Sequence, residues 1–249
     1  MTVRPALLAG IARSLAVYYG QPWKTAALRR LYAGIVRPGD LAFDIGCHVG
    51  NRTRALHRLG ARVVALEPQP DLHALLARIL PADRVVLLRK AAGAAPGRLT
   101  LAVSSRHPTV STLSRSWIDQ VSRTEGFAGV RWDDAVEVEV VTLDGLIAEH
   151  GMPRFVKIDV EGFEPEILAG LSRPVPWVAF EYLPATRSLA DACLGRLAAL
   201  GPYRFNRTEG EDHRFRHADW LDAAAMAAVL AGIGSDERSG DVYARLDPA

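Results

Sequence analysis

Residues 41–68 read LAFDIGCHVGNRTRALHRLGARVVALEP, and the order of apolar runs and glycines in this stretch indicates the fold. The run at 41–45 is typical of a strand that is buried on both faces. Gly46 follows in the spacing Asp-x-Gly-x-x-x-Gly, which permits a tight turn and a close approach of the backbone to a ligand. A helical pattern and a second apolar strand at 62–66 then lead to Glu67. This order is the opening half of a nucleotide-binding α/β fold.

The acids of this stretch indicate the kind of nucleotide. Glu67 ends the second strand, where such units place an acid that accepts hydrogen bonds from ribose hydroxyls. The loop is not Gly-x-Gly-x-x-Gly, and no Walker-type Gly-Lys-Ser/Thr occurs, so no pyrophosphate cradle is indicated. Asp44, just before the loop, disfavours a phosphate and favours a cationic group. S-adenosylmethionine fits both observations, because it combines adenosine with an ammonium and a sulfonium; the alternative is an ordinary βαβ unit with an incidental acid.

Bulk composition is that of a globular enzyme. The chain has 249 residues, enough to bury a full core in one large domain, and 49% of them are hydrophobic. The net charge of +2 predicts no nucleic-acid partner. Two cysteines far apart give no disulfide framework and no metal spacing, and no run is long enough for a membrane span. The sequence therefore predicts a cytoplasmic protein, and its abundance of Arg and Ala points to a GC-rich bacterial genome.

Changes of pattern along the chain suggest its organisation. Residues 1–38 are predicted to be a helical extension that packs on the main domain or on a partner chain, which makes a homodimer plausible. Residues 39–249 are predicted to form the main domain, with edge strands in 201–249. Within it, residues 104–134 have no sustained period, which is typical of a functional loop or lid, and we assign this insertion, including Ser111, to the acceptor site. The alternative is a loosely packed surface excursion.

A second informative stretch, FVKIDVEG at 155–162, is a strand that ends in Asp159 and Glu161. The next predicted strand again ends in an acid, Glu181. Strand-end acids in an open α/β sheet converge at the carboxyl edge, where ligands bind. The four predicted to converge are Asp44, Glu67, Asp159 and Glu181. Such a group is costly unless something positive binds among the acids, and a sulfonium and an ammonium supply that charge.

Two further polar features have simple structural readings. Asp144 is predicted to be the N-cap of the helix that follows it. His213 and His217 have a metal-compatible spacing if they are helical, but the segment looks extended, so solvent-exposed histidines are expected instead.

Taken together, the two stretches resemble the FkbM family of class I methyltransferases, which depend on S-adenosylmethionine. The matching segments are FDIGCHVG at 43–50, ALEP at 65–68, TLD at 142–144 and KIDVEG at 157–162. The resemblance covers roughly residues 36–182, and the KIDVEG segment is its most specific part. Members often have Ala-Asn where this chain has Cys47-His48, so an asparagine contact is not assumed.

The resemblance implies a fold and a site. The fold is α/β, a Rossmann-like seven-stranded sheet, parallel apart from one edge strand, with helices on both faces. The activity is methyl transfer, most often to a hydroxyl of a sugar or natural product, so the partner is a small-molecule or glycan acceptor. Asp44 and Gly46 hold the methionine moiety, Glu67 the ribose, and Asp159 lies beside the amino group. The predicted cofactor-binding residues are Asp44, Gly46, Cys47, His48, Gly50, Asn51, Thr53, Glu67, Pro68, Ala91, Ala92, Ser111 and Asp159.

A hydroxyl acceptor must lose its proton, so a base is required. The predicted catalytic candidates are Asp159, Glu161, Glu181 and His48. For His48 the alternative is a residue that fixes the glycine turn, and for Glu161 it is a contact with the positive end of the next helix. A divalent metal on the three acids is conceivable, but strand-end carboxylates are weak evidence, and no metal is predicted. A nicotinamide-dependent oxidoreductase and a non-catalytic small-molecule-binding protein remain the alternative functions.

Overall fold

The computed structural model describes residues 5–235 and 237–247 of the chain. The strands in chain order are β1 (Leu41–Ile45), β2 (Arg62–Leu66), β3 (Val85–Leu88), β4 (Ala91–Ala92), β5 (Gly97–Val103), β6 (Asp134–Val141), β7 (Phe155–Ile158), β8 (Trp177–Tyr182), β9 (Tyr203–Arg207) and β10 (Gly240–Leu246). The helices are α1 (Pro5–Tyr19), α2 (Pro22–Ala33), α3 (Asn51–Arg58), α4 (Pro70–Ile79), α5 (Arg115–Val121), α6 (Leu143–His150), α7 (Glu164–Ala169), α8 (Arg187–Leu200) and α9 (Ala223–Ala231).

The main sheet has seven strands in the order β3-β2-β1-β7-β8-β10-β9, which confirms the predicted architecture. Strands β3, β2, β1, β7 and β8 pair in parallel, whereas β10 is antiparallel to both of its neighbours. The antiparallel strand was expected at the edge, and this is wrong by one position. The last strand, β10, inserts between β8 and β9, so β9 is the edge strand. Strand β9 runs parallel to β8 and to the other parallel strands.

The two faces of this sheet bury two apolar clusters, because successive side chains of a strand point to opposite sides. On β1, Phe43 and Ile45 pack with α6, α7, α8 and α9, whereas Ala42 packs with α2, α3 and α4. The neighbouring strand β7 divides in the same way, with Ile158 in the first cluster and Phe155 in the second. The sheet is therefore covered on both faces, as the continuous apolar runs of its strands predict.

A second sheet of three strands, β4-β6-β5, extends from the carboxyl side of the first. Its β5–β6 pair is an antiparallel hairpin, and residues 104–133 are the long connection between those strands. This connection contains α5, whose Trp117 is only 1% exposed and makes edge-on ring contacts with Phe127 and Trp132. An aromatic cluster therefore anchors the predicted insertion, and its role as a lid stays a prediction.

Helix α1 packs directly on the main domain. Ile11 belongs to a small apolar cluster with Val49 and Leu72, which lie next to the glycine loop and on α4. The Tyr19 hydroxyl donates a hydrogen bond of 3.0 Å to the Val49 carbonyl oxygen. In the described part of the chain, no helix combines the length and apolar character needed to cross a membrane.

Two local predictions are wrong. Thr142, not Asp144, is the N-cap of α6: its hydroxyl accepts a hydrogen bond of 2.9 Å from the Gly145 N–H. Asp144 lies within the first turn, and its carboxylate accepts the Ser172 N–H instead. His213 is buried rather than exposed, because its Nε2 contacts the Glu211 carboxylate at 3.0 Å.

Candidate functional site

A cleft enclosing about 560 Å³ opens at the carboxyl ends of β1, β2 and β7. This is the position at which open α/β sheets bind their ligands. The predicted site residues that line it are Gly46, His48, Glu67, Pro68, Ala91, Ala92, Ser111, Asp159 and Glu161. The structure thus brings together side chains that lie more than a hundred positions apart in the sequence.

The turn after β1 requires a glycine for two reasons. Gly46 has a φ of +80°, which disfavours L side chains, and a Cβ at this position would collide with the backbone carbonyl oxygen of Asp159. The loops after β1 and β7 can therefore lie against each other at the mouth of the cleft. This contact places the glycine loop beside the KIDVEG segment, as the resemblance implies.

Glu67 lies at the wall of the cleft and is almost fully buried. One of its carboxylate oxygens accepts the His48 N–H at 3.0 Å, and the other accepts the Gln69 N–H at 2.9 Å. Burial raises the pKa of this carboxyl to about 8, although both backbone N–H groups lower it. Because a carboxylate oxygen accepts more than one hydrogen bond, each oxygen retains capacity for a ligand hydroxyl.

Apolar side chains form a large part of the cleft wall. Ala91 and Ala92 lie beside Leu101 and Phe163, and the small alanines leave room between them. Gln69 joins this wall to the 104–134 insertion, since its side-chain amide donates to the Pro108 carbonyl oxygen at 3.1 Å. The cleft thus combines the Glu67 carboxyl with a broad apolar surface, which suits a sugar joined to a flat base.

Other predicted cofactor residues lie outside the cleft. Asp44 is fully buried and accepts a hydrogen bond of 2.5 Å from the Thr53 hydroxyl. Burial raises the pKa of Asp44, and this hydrogen bond lowers it in part. Gly50 is the N-cap of α3. Cys47 and Asn51 line a neighbouring cavity of about 360 Å³, together with Arg52 and the cleft residues Gly46, His48, Asp159 and Glu161. The assignment of these residues to the cofactor stays a prediction.

Asp159 is neutralised by cations of the chain itself. Its carboxylate lies 3.3 Å from the Arg52 guanidinium and 3.3 Å from the ammonium of Lys157, which is fully buried. Burial opposes the ionisation of Asp159, but Lys157 and Arg52 together hold its pKa below the usual range. The same two cations also pair with Asp241, and Arg52 pairs with Glu211. Asp159 is therefore already paired within the chain, and its contact with the amino group of a bound cofactor stays a prediction.

Glu161 lies two residues further along and has a different environment. It adopts a left-handed backbone conformation with a φ of +57°, and its side chain lines both the cleft and the neighbouring cavity. Its carboxylate makes no hydrogen bond or ion pair with the residues that the structure describes. Burial raises the pKa of Glu161 well above its usual range, and the carboxylates of Asp159 and Glu164 add to this.

Three carboxylates could together hold a metal ion. One oxygen from each of Asp159, Glu161 and Glu181 lies within 4.8 Å of the others. Burial and the neighbouring acids also raise the pKa of Glu181 well above its usual range. Glu181 does not line the cleft; it lies in a third cavity, of about 240 Å³, with Trp117 and Gly162. The absence of a metal stays a prediction, since this geometry is compatible with one.

His48 is held in a left-handed conformation, with a φ of +48°, between the cleft and the neighbouring cavity. Burial lowers its pKa to about 4, so the imidazole is neutral at pH 7. Its Nε2 is buried and has no hydrogen-bond partner in the described structure. The ring packs edge-on against that of Tyr18 from α1.

The sequence did not indicate several residues of this site. Arg52 is one of many arginines, and its partners Glu211 and Asp241 lie far along the chain. Tyr18 comes from a helix that was treated as an extension. Gln69 is the exception, because its position two residues after Glu67 could have suggested a contact with that carboxylate.

Known proteins resemble this chain in sequence and in fold. A family model described as the methyltransferase FkbM domain matches residues 44–201, which is more than half of the chain. The 31-O-demethyl-FK506 methyltransferase FkbM of Streptomyces tacrolimicus is 29% identical over 192 residues, a match that covers 66% of this chain and 72% of that protein.

Among solved structures, the methyltransferase FkbM from Methylobacillus flagellatus superposes with a TM-score of 0.50 at 17% sequence identity. The superposition covers 85% of this chain and 45% of that one, so this chain spans less than half of the solved protein. At this identity the likeness concerns the fold alone.

Proposed function

The chain belongs to the FkbM methyltransferase family, and from this premise we propose that it transfers a methyl group from S-adenosylmethionine to a hydroxyl oxygen of a sugar or natural product. The observation that supports this most is Glu67 beside the glycine loop, in a cleft whose other walls are mainly apolar. The oxidoreductase alternative is not favoured, because the family is one of methyltransferases and the loop lacks Gly-x-Gly-x-x-Gly.

The cleft residues fit this cofactor. Glu67 has two oxygens that can accept the ribose hydroxyls, and Ala91 and Ala92 leave space for adenine. When bound, S-adenosylmethionine supplies an electrophilic methyl group on a sulfonium. The chain's part is to hold the acceptor oxygen, the methyl carbon and the sulfur in line, and alignment of this kind accounts for much of the catalysis of a direct displacement.

We assign the general base to Glu161. Asp159 is a poor base, because Lys157 and Arg52 hold its pKa low. Glu181 does not line the cleft. His48 is neutral and has a free Nε2, but its pKa of about 4 makes it a weak proton acceptor at pH 7. Glu161 lines both cavities, has no partner in the described structure and has a raised pKa, so its ionised form is a stronger base than Asp159 or His48.

Two observations bear on the nature of the acceptor. The name of the Streptomyces relative specifies an O-demethyl substrate, which agrees with transfer to oxygen. The cavity of about 360 Å³ lies beyond Glu161 from the cleft and is lined mostly by polar residues, including Asn51 and Thr109. A hydroxyl compound placed there would contact Glu161.

Calorimetric titration of the purified protein with S-adenosylmethionine, S-adenosylhomocysteine and NAD tests the cofactor. We expect micromolar binding of the first two, in the range about 1–100 μM, and no binding of NAD. Binding of NAD alone would overturn the proposal. A screen of hydroxyl compounds for uptake of label from methyl-labelled cofactor then identifies an acceptor.

Substitution of Glu67 tests the ribose contact. Glu67→Ala is expected to weaken cofactor binding by about 1–3 kcal/mol, because the ribose hydroxyls lose their hydrogen-bond acceptors at this buried position. Glu149→Ala is the matched control, since that glutamate is exposed on α6 and is not part of the cleft wall. Unchanged affinity in a folded Glu67→Ala protein would contradict the assignment.

A further inference from the structure

A cationic cavity lies between α1, α2 and α3, outside the cofactor cleft. It spans about 420 Å³, including space open to solvent, and is lined by three basic side chains, Lys24 from α2 and Arg54 and Arg58 from α3. Tyr18 and Tyr19 from α1 form another wall, and the Arg54 guanidinium lies over the Tyr19 ring at 5.5 Å from its centroid. Neither the family assignment nor the proposed methyl transfer uses these cations.

None of these three basic side chains forms an ion pair with the described residues. Arg52, on the same helix, lies within 4 Å of three acids, so acidic partners are available nearby but do not reach the cavity cations. The acid on the cavity wall is Glu211, and it is already paired with Arg52 at 3.4 Å and with His213 at 3.0 Å. Three grouped positive charges without counter-charges raise the local concentration of anions and favour an anionic ligand.

The cationic cavity shares wall residues with the cavity that contains Glu161. Tyr18 and Asn51 line both this cavity and the one of about 360 Å³ that contains His48 and Glu161. The two cavities are therefore neighbours, and a single ligand for both would have to extend from the three cations, past Tyr18, to the proposed general base. The Tyr18 ring also packs edge-on against His48, which lines the second of these cavities.

We propose that the cationic cavity binds a phosphate or diphosphate group of the methyl acceptor, so that the substrate is a phosphorylated hydroxyl compound. Guanidinium forks match the oxygens of a phosphate, and a lysine ammonium adds a point charge. A single carboxylate would leave part of this charge unpaired, whereas a diphosphate can contact all three cations. This inference deepens the proposed function and rests on it for the position of the acceptor hydroxyl.

Inorganic pyrophosphate is the probe, titrated into protein saturated with S-adenosylhomocysteine. The test variant is Lys24→Gln/Arg54→Gln/Arg58→Gln, and the control is Arg29→Gln/Arg30→Gln, which removes exposed charges of α2 that do not line the cavity. We expect saturable binding to the parent and the control, and at least about tenfold weaker binding to the test variant. Malonate, a dicarboxylate of similar charge, is expected to bind less tightly than pyrophosphate.

The outcomes separate this inference from the proposed function. If S-adenosylhomocysteine binds but pyrophosphate does not, or if the control loses as much affinity as the test variant, the phosphate site is refuted and methyl transfer stands. If malonate binds as tightly as pyrophosphate, the assignment to phosphate is refuted. If S-adenosylhomocysteine fails to bind, the proposed function fails, and the pyrophosphate titrations still decide the anion site. Arg58→Gln alone, at an exposed side chain, serves if the triple variant does not fold.

Discussion

Asp159 and Glu161 occupy the same loop after β7, and the structure gives them opposite environments. Asp159 contacts two cations, which hold its pKa low. Glu161 has no partner in the described structure and lies among other acids, and its pKa is raised. Sites that separate the pKa values of neighbouring acids in this way commonly assign them different roles. On this difference rests our proposal that Glu161 is the general base, whereas Asp159 remains ionised and paired with Arg52 and Lys157.

The largest expected effect comes from removing the exchangeable proton site. Glu161→Gln keeps the shape of the side chain but cannot accept a proton, so turnover should fall by about 10²–10⁴-fold. Affinity for S-adenosylmethionine should remain close to that of the parent. Glu181→Gln is the matched control, because its carboxylate is near Glu161 but does not line the cleft. Equal losses in both variants would remove the distinction between the two acids.

The pH dependence of turnover in the parent protein and in Glu161→Gln tests which residue is the base. A base works only when ionised, so with Glu161 as the base kcat/KM for the acceptor should rise with pH, by about tenfold per unit below the raised pKa. If His48 were the base, its pKa of about 4 would give a profile that is flat at neutral pH. Saturating cofactor is needed, because Glu67 also titrates, with a pKa of about 8. In Glu161→Gln the slope should disappear.

The second largest expected effect is a loss of stability when the buried ion pairs of Lys157 are broken. Lys157→Met leaves Asp159 and Asp241 without their shared buried cation, and breaking such a pair destabilises a protein by about 3–5 kcal/mol. Urea unfolding measures this loss. Arg98→Met, which breaks an exposed pair with Glu137, should change stability by no more than about 1 kcal/mol. Similar losses in both variants would show that the buried network adds no stability.

The sheet was predictable from sequence, whereas this network was not. Strands β1 and β2 have the bounds 41–45 and 62–66 that their apolar runs predict, since strands buried on both faces need continuous apolar sequence. The acids of the loop were found for a similar reason, because they immediately follow strands that end at one edge. Local pattern was sufficient for both.

The partners of those acids depend on tertiary structure. Arg52 is separated from Glu211 by 159 positions, and no local pattern distinguishes it from other helical arginines. Tyr18 reaches the site because α1 folds over the glycine loop, which an amphipathic pattern alone does not specify. The sequence therefore gives the positions of charges at the sheet edge, but it does not reveal which of them are neutralised.

A smaller effect is expected where the insertion meets the loop of the two acids. Gly162 has a φ of +87°, and a Cβ there would collide with the Trp117 side chain. Gly129 has a φ of +82° with nothing within 4 Å of an added Cβ, so Gly129→Ala carries the backbone strain without the collision. Gly162→Ala should lose about 1–3 kcal/mol more stability than Gly129→Ala in urea unfolding. Equal losses would mean that Trp117 moves aside freely.

Addition or removal of a divalent metal ion is expected to have no effect on methyl transfer. A divalent ion on Asp159, Glu161 and Glu181 needs ionised carboxylates, because bound ligands must be deprotonated. Asp159 is already paired with Arg52 and Lys157, and the burial that raises the pKa values of Glu161 and Glu181 opposes the ionisation that a metal requires. Titration with Mg²⁺ at pH 7 should therefore show no saturable binding, and EDTA should leave methyl transfer unchanged. Loss of activity with EDTA, restored by Mg²⁺, would show instead that the unpaired acids serve as metal ligands, and Glu181→Gln should then lose that response.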